Sequence, residues 1–183
     1  MLNGSLAIVS IIIFCVVYMV TAITVVVLSQ VQRLNGDKVK FPIVCSAGSQ
    51  GVPRIIYIIG NTLSSIFLGI GIVGHVITIM NAMNNLGITI YSIIMAATGL
   101  MMCPFLILMS VFDIQKFNTI HTIFSSIYIA SGNSYAGTSI GLSFYAGSPI
   151  GIIIYRIISA SLLMGFCMIA YHDVCFQCKK KER

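Results

Sequence analysis

The chain has 183 residues, of which 58% are hydrophobic and only 8% charged, and its mean hydropathy is +1.03. A soluble domain carries about 25% charged residues, so this chain lacks the charge to coat a water-facing globule, which excludes an ordinary cytosolic enzyme, a disordered chain and a free nucleic-acid binder. The net charge of +6 comes from 10 basic and 4 acidic residues, and they sit in short clusters rather than along a polyanion-binding face.

Between those clusters, Met1–Gln32, Ile55–Phe112 and Phe117–Tyr155 contain no Lys, Arg, Asp or Glu. Uncharged apolar runs of about 18 residues or more are membrane-span candidates. The backbone must satisfy its own hydrogen bonds in lipid, so spans are helices or closed barrels. Isoleucine is frequent here and favours strands in water. Barrel strands, however, alternate polar and apolar over about ten residues, whereas these runs are apolar throughout. The predicted fold is therefore all-α: one polytopic helix bundle spanning residues 1–183, without a soluble domain or internal repeat.

Five spans are predicted, at about 6–28, 55–80, 87–111, 120–142 and 150–171. The first has no basic flank before it and runs longer than a signal-peptide core, so it reads as retained. The loop after it carries Gly36, Pro42, Gly48, Gly51 and Pro53. Asn81, Asn84 and Asn85 mark a tight second turn, and residues 113–118 mark the third. In the fourth turn, Pro149 is placed to open a helix. Span four carries His121, Thr122, Ser125, Ser126, Ser131, Asn133, Ser134, Thr138 and Ser139. So polar a helix should sit inside the bundle. Its Gly137-x-x-x-Gly141 and Gly132-x-x-x-Ala136 spacings admit a close neighbour. A basic tail, 172–183, follows span five.

Orientation has two readings. Arg33, Lys38, Lys40, Arg54, Lys116, Lys179, Lys180, Lys181 and Arg183 all fall on one side of a five-span chain. Cytoplasmic loops are enriched in Lys and Arg, so charge puts the first loop and the tail in the cytosol. The tail then reads either as a dilysine retrieval signal or as a basic stop-transfer flank.

Arg156, about two turns into span five, is the most informative residue. A charge inside a span is costly and points to function. All four acids, Asp37, Asp113, Asp173 and Glu182, fall at the other membrane face. Arg156 then snorkels to the interface, binds a lipid phosphate bidentately, or meets a partner protein, and Tyr155 beside it suits an interfacial anchor. His75 lies toward the second turn, while His121 and His172 lie at the opposite face, so no two histidines match for a bis-histidine haem. His121 is expected to be a hydrogen-bonded cap rather than a proton relay. Cys15, Cys103 and Cys167 lie in spans and act as small apolar residues. His172, Cys175 and Cys178 have metal-like spacing but lack a fourth ligand for a closed zinc site. With the tail in the cytosol, Cys175 and Cys178 fit reversible palmitoylation instead; with that side lumenal, Cys45 could pair with one of them. Gly69-x-Gly71-x-x-Gly74 lies in an apolar helix, where its glycines read as packing residues rather than a dinucleotide loop. No nucleophile–base pair, carboxylate pair or phosphate loop is evident, and no metal or cofactor is expected.

The segment Pro42-Ile43-Val44-Cys45-Ser46-Ala47-Gly48-Ser49, then Pro53-Arg54 and an apolar span, resembles the first-loop signature of the DRAM-like superfamily. That group comprises damage-regulated autophagy modulators and the Golgi factor that remodels the lipid of GPI anchors. His121, small residues, then Gly132 and Tyr135 resemble the family's fourth-span pattern, and Arg156 falls where the family often has Arg. Cys45 and Arg54 depart from the family pattern, as does a count of five spans where the family usually has six. The resemblance implies a lumenal motif loop, opposite to the charge rule. It also implies a non-enzymatic endomembrane protein of the Golgi, ER or lysosome, with the plasma membrane as the other location. Its partners would be membrane lipids, with headgroup or partner contacts at Arg156, Tyr155 and His121, and other membrane proteins. The alternatives are a small channel or transporter subunit, suggested by polar span four, and a lipid-remodelling factor.

Overall fold

A computed structural model describes residues 2–33, 51–82, 85–112, 114, 116–154, 156–158 and 160–161. Helix α1 covers Leu2–Arg33, α2 Gly51–Ala82, α3 Leu86–Val111 and α4 Asn118–Tyr145. A fifth helix, α5, is described at 150–154, 156–158 and 160–161. No strand occurs among the described residues, so the fold is an all-α bundle. Among the described residues, three helical stretches are long and apolar enough to cross a membrane: Ser5–Val31, Gly51–Ala82 and Leu86–Val111. Helix α4 is equally long, but its serines, threonines and asparagines dilute its hydropathy.

The helix ends follow the local sequence. Gly51 takes a left-handed φ of 61° at the start of α2, and Pro53 sits in the first turn, where its missing N–H costs nothing. At the second turn, the Asn85 side chain accepts a hydrogen bond from the Gly87 N–H at 2.8 Å, capping α3. Helix α4 closes with Ser148 N–H bonded to Ser143 O and Gly147 N–H to Phe144 O, at 2.9 and 3.1 Å. Gly147 supplies the required left-handed φ of 63°, which completes a Schellman cap. Pro149 then opens α5, its carbonyl accepting from Ile152 N–H at 2.9 Å. The first and second helices extend beyond the predicted spans, because polar Gln30 and Arg54 lie in helical overhangs outside the apolar run. Residues 34–50, holding Pro42 and Gly48, lie outside the described residues, as do Tyr155, His172, Cys175, Cys178 and all four acids.

Consecutive helices pack antiparallel. Between α1 and α2 the contact is backbone-close: Gly60 lies against Thr21, and Gly71 against Ile11 and the Ala7 carbonyl. Val25 and Tyr57 form a small core at the far end of that seam. Rings clamp α3 to α4 at both ends. Tyr91 and Tyr145 stand 5.8 Å apart near the second turn. Phe105 and Phe112 lie 5.8 and 5.4 Å from Phe124 near the third. Val76, Ile88, Met95 and Leu142 make the main core, joining α2, α3 and α4.

Candidate functional site

Helix α2 turns a mixed stripe into the bundle. Tyr57, Asn61, Ser64, Leu68 and Ile72 are buried, and their spacing of three or four residues places them on one helical face. His75 follows on that face. Its Nδ1 lies 3.0 Å from the Tyr135 hydroxyl of α4. Tyr135 fits there because Gly99 of α3 has no side chain. A Cβ at Gly99 would fall 2.8 Å from the Tyr135 ring and 3.0 Å from Ile72. The tyrosine thus slots between α2 and α3, one turn from the main core.

From α5, Arg156 reaches the same region. Its Nη1 donates to both the carbonyl and the hydroxyl of Ser139 at 2.8 Å each. Ser139 is buried, and its carbonyl also accepts from Ser143 Oγ at 2.9 Å. Ser139 lies one turn from Tyr135 on the same face of α4, so Arg156 stands on the side of α4 that carries the His75–Tyr135 pair. One fixed cation, one imidazole, one phenol and one serine from α2, α4 and α5 therefore share a single neighbourhood. His75, Tyr135 and Arg156 are each only half-buried, so the cluster is not sealed. No other hydrogen bond to Arg156 occurs among the described residues, which leaves Nε and Nη2 as unspent donors.

Depth follows from helix length. At 32 residues and about 1.5 Å per residue, α2 is about 48 Å long, against a hydrocarbon core of about 30 Å. Centred in a bilayer, it stands out by about 9 Å at each end. His75 lies seven residues before Ala82, and Arg156 six residues after Ile150, so both sit about 10 Å from those ends. For an α2 centred in the bilayer that places His75 at the boundary between headgroups and hydrocarbon, and the α4 turn from Tyr135 to Ser139 carries Arg156 to a similar level.

The other predicted residues are distributed differently. His121 Nδ1 lies 2.8 Å from the carbonyl of Phe112, the C-cap residue of α3. That is a helix-end contact at the opposite face, in keeping with the capping role expected of it, and it takes no part in the Arg156 cluster. Of the family-like motif, Pro53 opens α2, Gly132 lies against Met102 and Tyr135 joins the cluster. Gly141 packs on Tyr91, but a Cβ at Gly137 would meet nothing within 4 Å. Gly132 and Gly141 lie about half a turn apart around α4, so they meet Met102 and Tyr91 on different strips of the helix, and Gly137 meets neither. Cys15 and Cys103 are free thiols, and no metal-like cluster occurs among the described residues.

Sequence reasoning missed the link from His75 to Arg156. Both residues sit toward the second and fourth turns, and His75 continues the α2 stripe. Those two signals together could have placed them side by side.

A second concavity, of about 540 Å³, opens on the outer flank of α2 between α1 and α3. Leu6, Ser65, Gly69, Val73, Leu100 and Cys103 line it, and Ser65 Oγ is already bonded to the Cys103 carbonyl at 2.8 Å. Val73 is two residues from His75, about 200° around the helix, so groove and cluster occupy opposite sides of α2.

In comparisons with known proteins, no family model, no curated protein and no solved structure matches the chain.

Proposed function

We propose that this chain is a non-enzymatic, five-span endomembrane protein resembling the DRAM-like autophagy and membrane-lipid modulators, and that it binds anionic lipid headgroups at Arg156. One observation carries the reading. Arg156 is held to Ser139 through one nitrogen while the rest of its guanidinium stays available at headgroup depth. Guanidinium forks pair bidentately with phosphate, and a half-buried cation with no carboxylate partner among the described residues gains from an anion brought by the ligand. A Golgi, ER or lysosomal membrane is the expected setting, and Cys175 and Cys178 in the tail serve as acylation sites there.

The test is lipid binding by the purified full chain. Arg156→Gln should weaken anionic-lipid affinity at least about tenfold, the worth of one charge-assisted hydrogen bond. Arg156→Lys should lie between, keeping the charge but losing the fork. Equal affinity in all three proteins would remove the headgroup reading.

A second reading rests on a separate observation. Asn61 Nδ2, Ser64 Oγ and Ser92 Oγ are buried and have no hydrogen-bond partner among the described residues. Unpaired buried polar groups favour water or a polar solute between the helices, which is the setting of a small channel or transporter subunit. Reconstituted vesicles should then pass protons or small solutes, and Asn61→Leu should stop the flux. Flux no greater than in empty vesicles would exclude it.

A further inference from the structure

We propose that the Arg156 site is completed by His75 and Tyr135, and that the three together select a phosphomonoester headgroup, of the phosphatidic acid type, over phosphodiester lipids. This rests on the headgroup reading above and specifies its ligand.

The argument starts from the hydrogen on the His75–Tyr135 contact. The two atoms are 3.0 Å apart, and either could donate. Tyr135 has no other hydrogen-bond acceptor among the described residues. Of the two groups the phenol is the stronger acid and the imidazole nitrogen the stronger acceptor, which favours the hydrogen on the tyrosine oxygen. The phenol therefore donates to Nδ1, and a neutral imidazole then carries its own hydrogen on Nε2. Tyr135 thus turns His75 into a neutral donor of fixed tautomer.

The donor set is then countable. Arg156 offers Nε–H and the Nη2 hydrogens, the pair that grips two oxygens of one anion. His75 offers a third donor from another helix. A phosphomonoester presents three strong acceptor oxygens, which match two from Arg156 and one from His75. A phosphodiester has only two free oxygens, and these satisfy Arg156 alone. Charge agrees with the count. A monoester's second ionisation falls near pH 6, so at neutral pH the dianion keeps all three oxygens free to accept. Arg156 offsets part of that charge, and a neutral His75 adds a donor without adding a charge. A cationic ligand is repelled by Arg156, and an uncharged one leaves the guanidinium unanswered.

Free phosphate offers the same oxygens as a lipid monoester. The two sources differ in the hydrocarbon, which lies on the exposed isoleucines Ile152, Ile157 and Ile158 of α5 when the lipid is bound.

The experiment uses the full chain in detergent, titrated with short-chain phosphatidic acid, phosphatidylglycerol and diacylglycerol and read by native mass spectrometry. The wild-type protein should take phosphatidic acid about tenfold more tightly than phosphatidylglycerol, as expected for one extra bond to a charged group. Diacylglycerol should not bind at the site. His75→Phe should remove the preference, lowering the affinity for phosphatidic acid to about that for phosphatidylglycerol. Tyr135→Phe keeps the ring against Gly99, frees the His75 tautomer, and should cut the preference to a few-fold. Arg156→Gln should weaken both lipids. Each variant is compared at equal helicity and melting temperature.

The failures separate cleanly. Equal affinity for the two anionic lipids, with Arg156→Gln still weakening both, overturns the monoester assignment and leaves headgroup binding standing. No effect of Arg156→Gln overturns both. Displacement of phosphatidic acid by equimolar inorganic phosphate overturns the lipid as ligand and assigns the site to the free ion.

Discussion

Two adjoining strips of helix α2 are built from opposite materials. Toward α1 it is a seam of small residues, where Gly60 and Gly71 let Thr21 and Ile11 press almost onto the backbone. Toward α4 and α5 it is polar, with His75 bonded to Tyr135 and the Arg156 charge nearby. In a membrane there is no hydrophobic drive between helices, so association comes from close packing and interhelical hydrogen bonds. The α1 seam uses the first and is geometrically closed. The α4–α5 junction uses the second and keeps donors in reserve. The difference teaches where to look for stability and where for binding in one bundle.

Substitutions should separate the two. The largest structural effect is expected at the seam. A Cβ at Gly60 would fall on the Thr21 side chain, so Gly60→Leu should destabilise the α1–α2 pair by about 3 kcal/mol or more through overpacking. Thermal unfolding in detergent, with cysteine cross-linking of α1 to α2, reads it directly. An unchanged melting temperature would mean that the seam is not load-sharing. Gly99→Ala should come next. Its new methyl would press on the Tyr135 ring and Ile72 and cost about 1–2 kcal/mol. It should also loosen the His75 contact, visible as a shifted imidazole resonance. Tyr135→Phe should be milder, about 0.6 kcal/mol, the mean for an interhelical hydrogen bond in lipid. Its effect on lipid selectivity should exceed its effect on stability, and the reverse order would assign the phenol a purely structural role. The smallest effect is expected at Gly137, where a Cβ meets nothing within 4 Å. Gly137→Ala should leave binding unchanged and stability equal or up to about 1 kcal/mol higher, by helix propensity. A loss there would show that the face of α4 bearing Gly137 is packed against something in the membrane.

Much of the scaffold is legible in the sequence because it depends on local chemistry. Charge-free apolar runs place the helices, Asn85 caps α3, and Gly147 with Pro149 ends one helix and begins the next. The polarity of α4 suggests an interior helix, but of its polar residues named above only His121 and Ser139 are buried while Ser126 and Ser134 are exposed, and the helix most enclosed by its neighbours is α2. Which glycines matter was harder to read. Gly137-x-x-x-Gly141 looks like a packing motif as text, yet only Gly141 meets a neighbour, the Tyr91 ring; the two glycines share a face one turn apart, so what decides is where along α4 a large side chain of α3 reaches it. Arg156 announces itself as a costly charge, but its anchor on Ser139 and its proximity to His75 depend on three helices at once. No local pattern encodes which helices become neighbours. The same holds for Tyr135, whose slot is made by a glycine 36 positions earlier in the chain, Gly99.

The central claim is that the Arg156 guanidinium meets a lipid phosphate, and nitrogen–phosphorus distance measurement by solid-state NMR tests it most directly. The full chain, labelled at arginine nitrogens, is placed in vesicles containing phosphatidic acid. The spectrum is compared with that of Arg156→Gln, so that Arg33, Arg54 and Arg183 are subtracted. The account predicts strong dephasing of the Arg156 side-chain nitrogens by lipid phosphorus, of the size given by a direct hydrogen bond of about 2.7–2.9 Å to a phosphate oxygen. Arg156 nitrogens that feel no phosphorus, in a protein whose His75–Tyr135 and Arg156–Ser139 contacts are intact, would contradict it and leave the arginine a structural tie between α4 and α5.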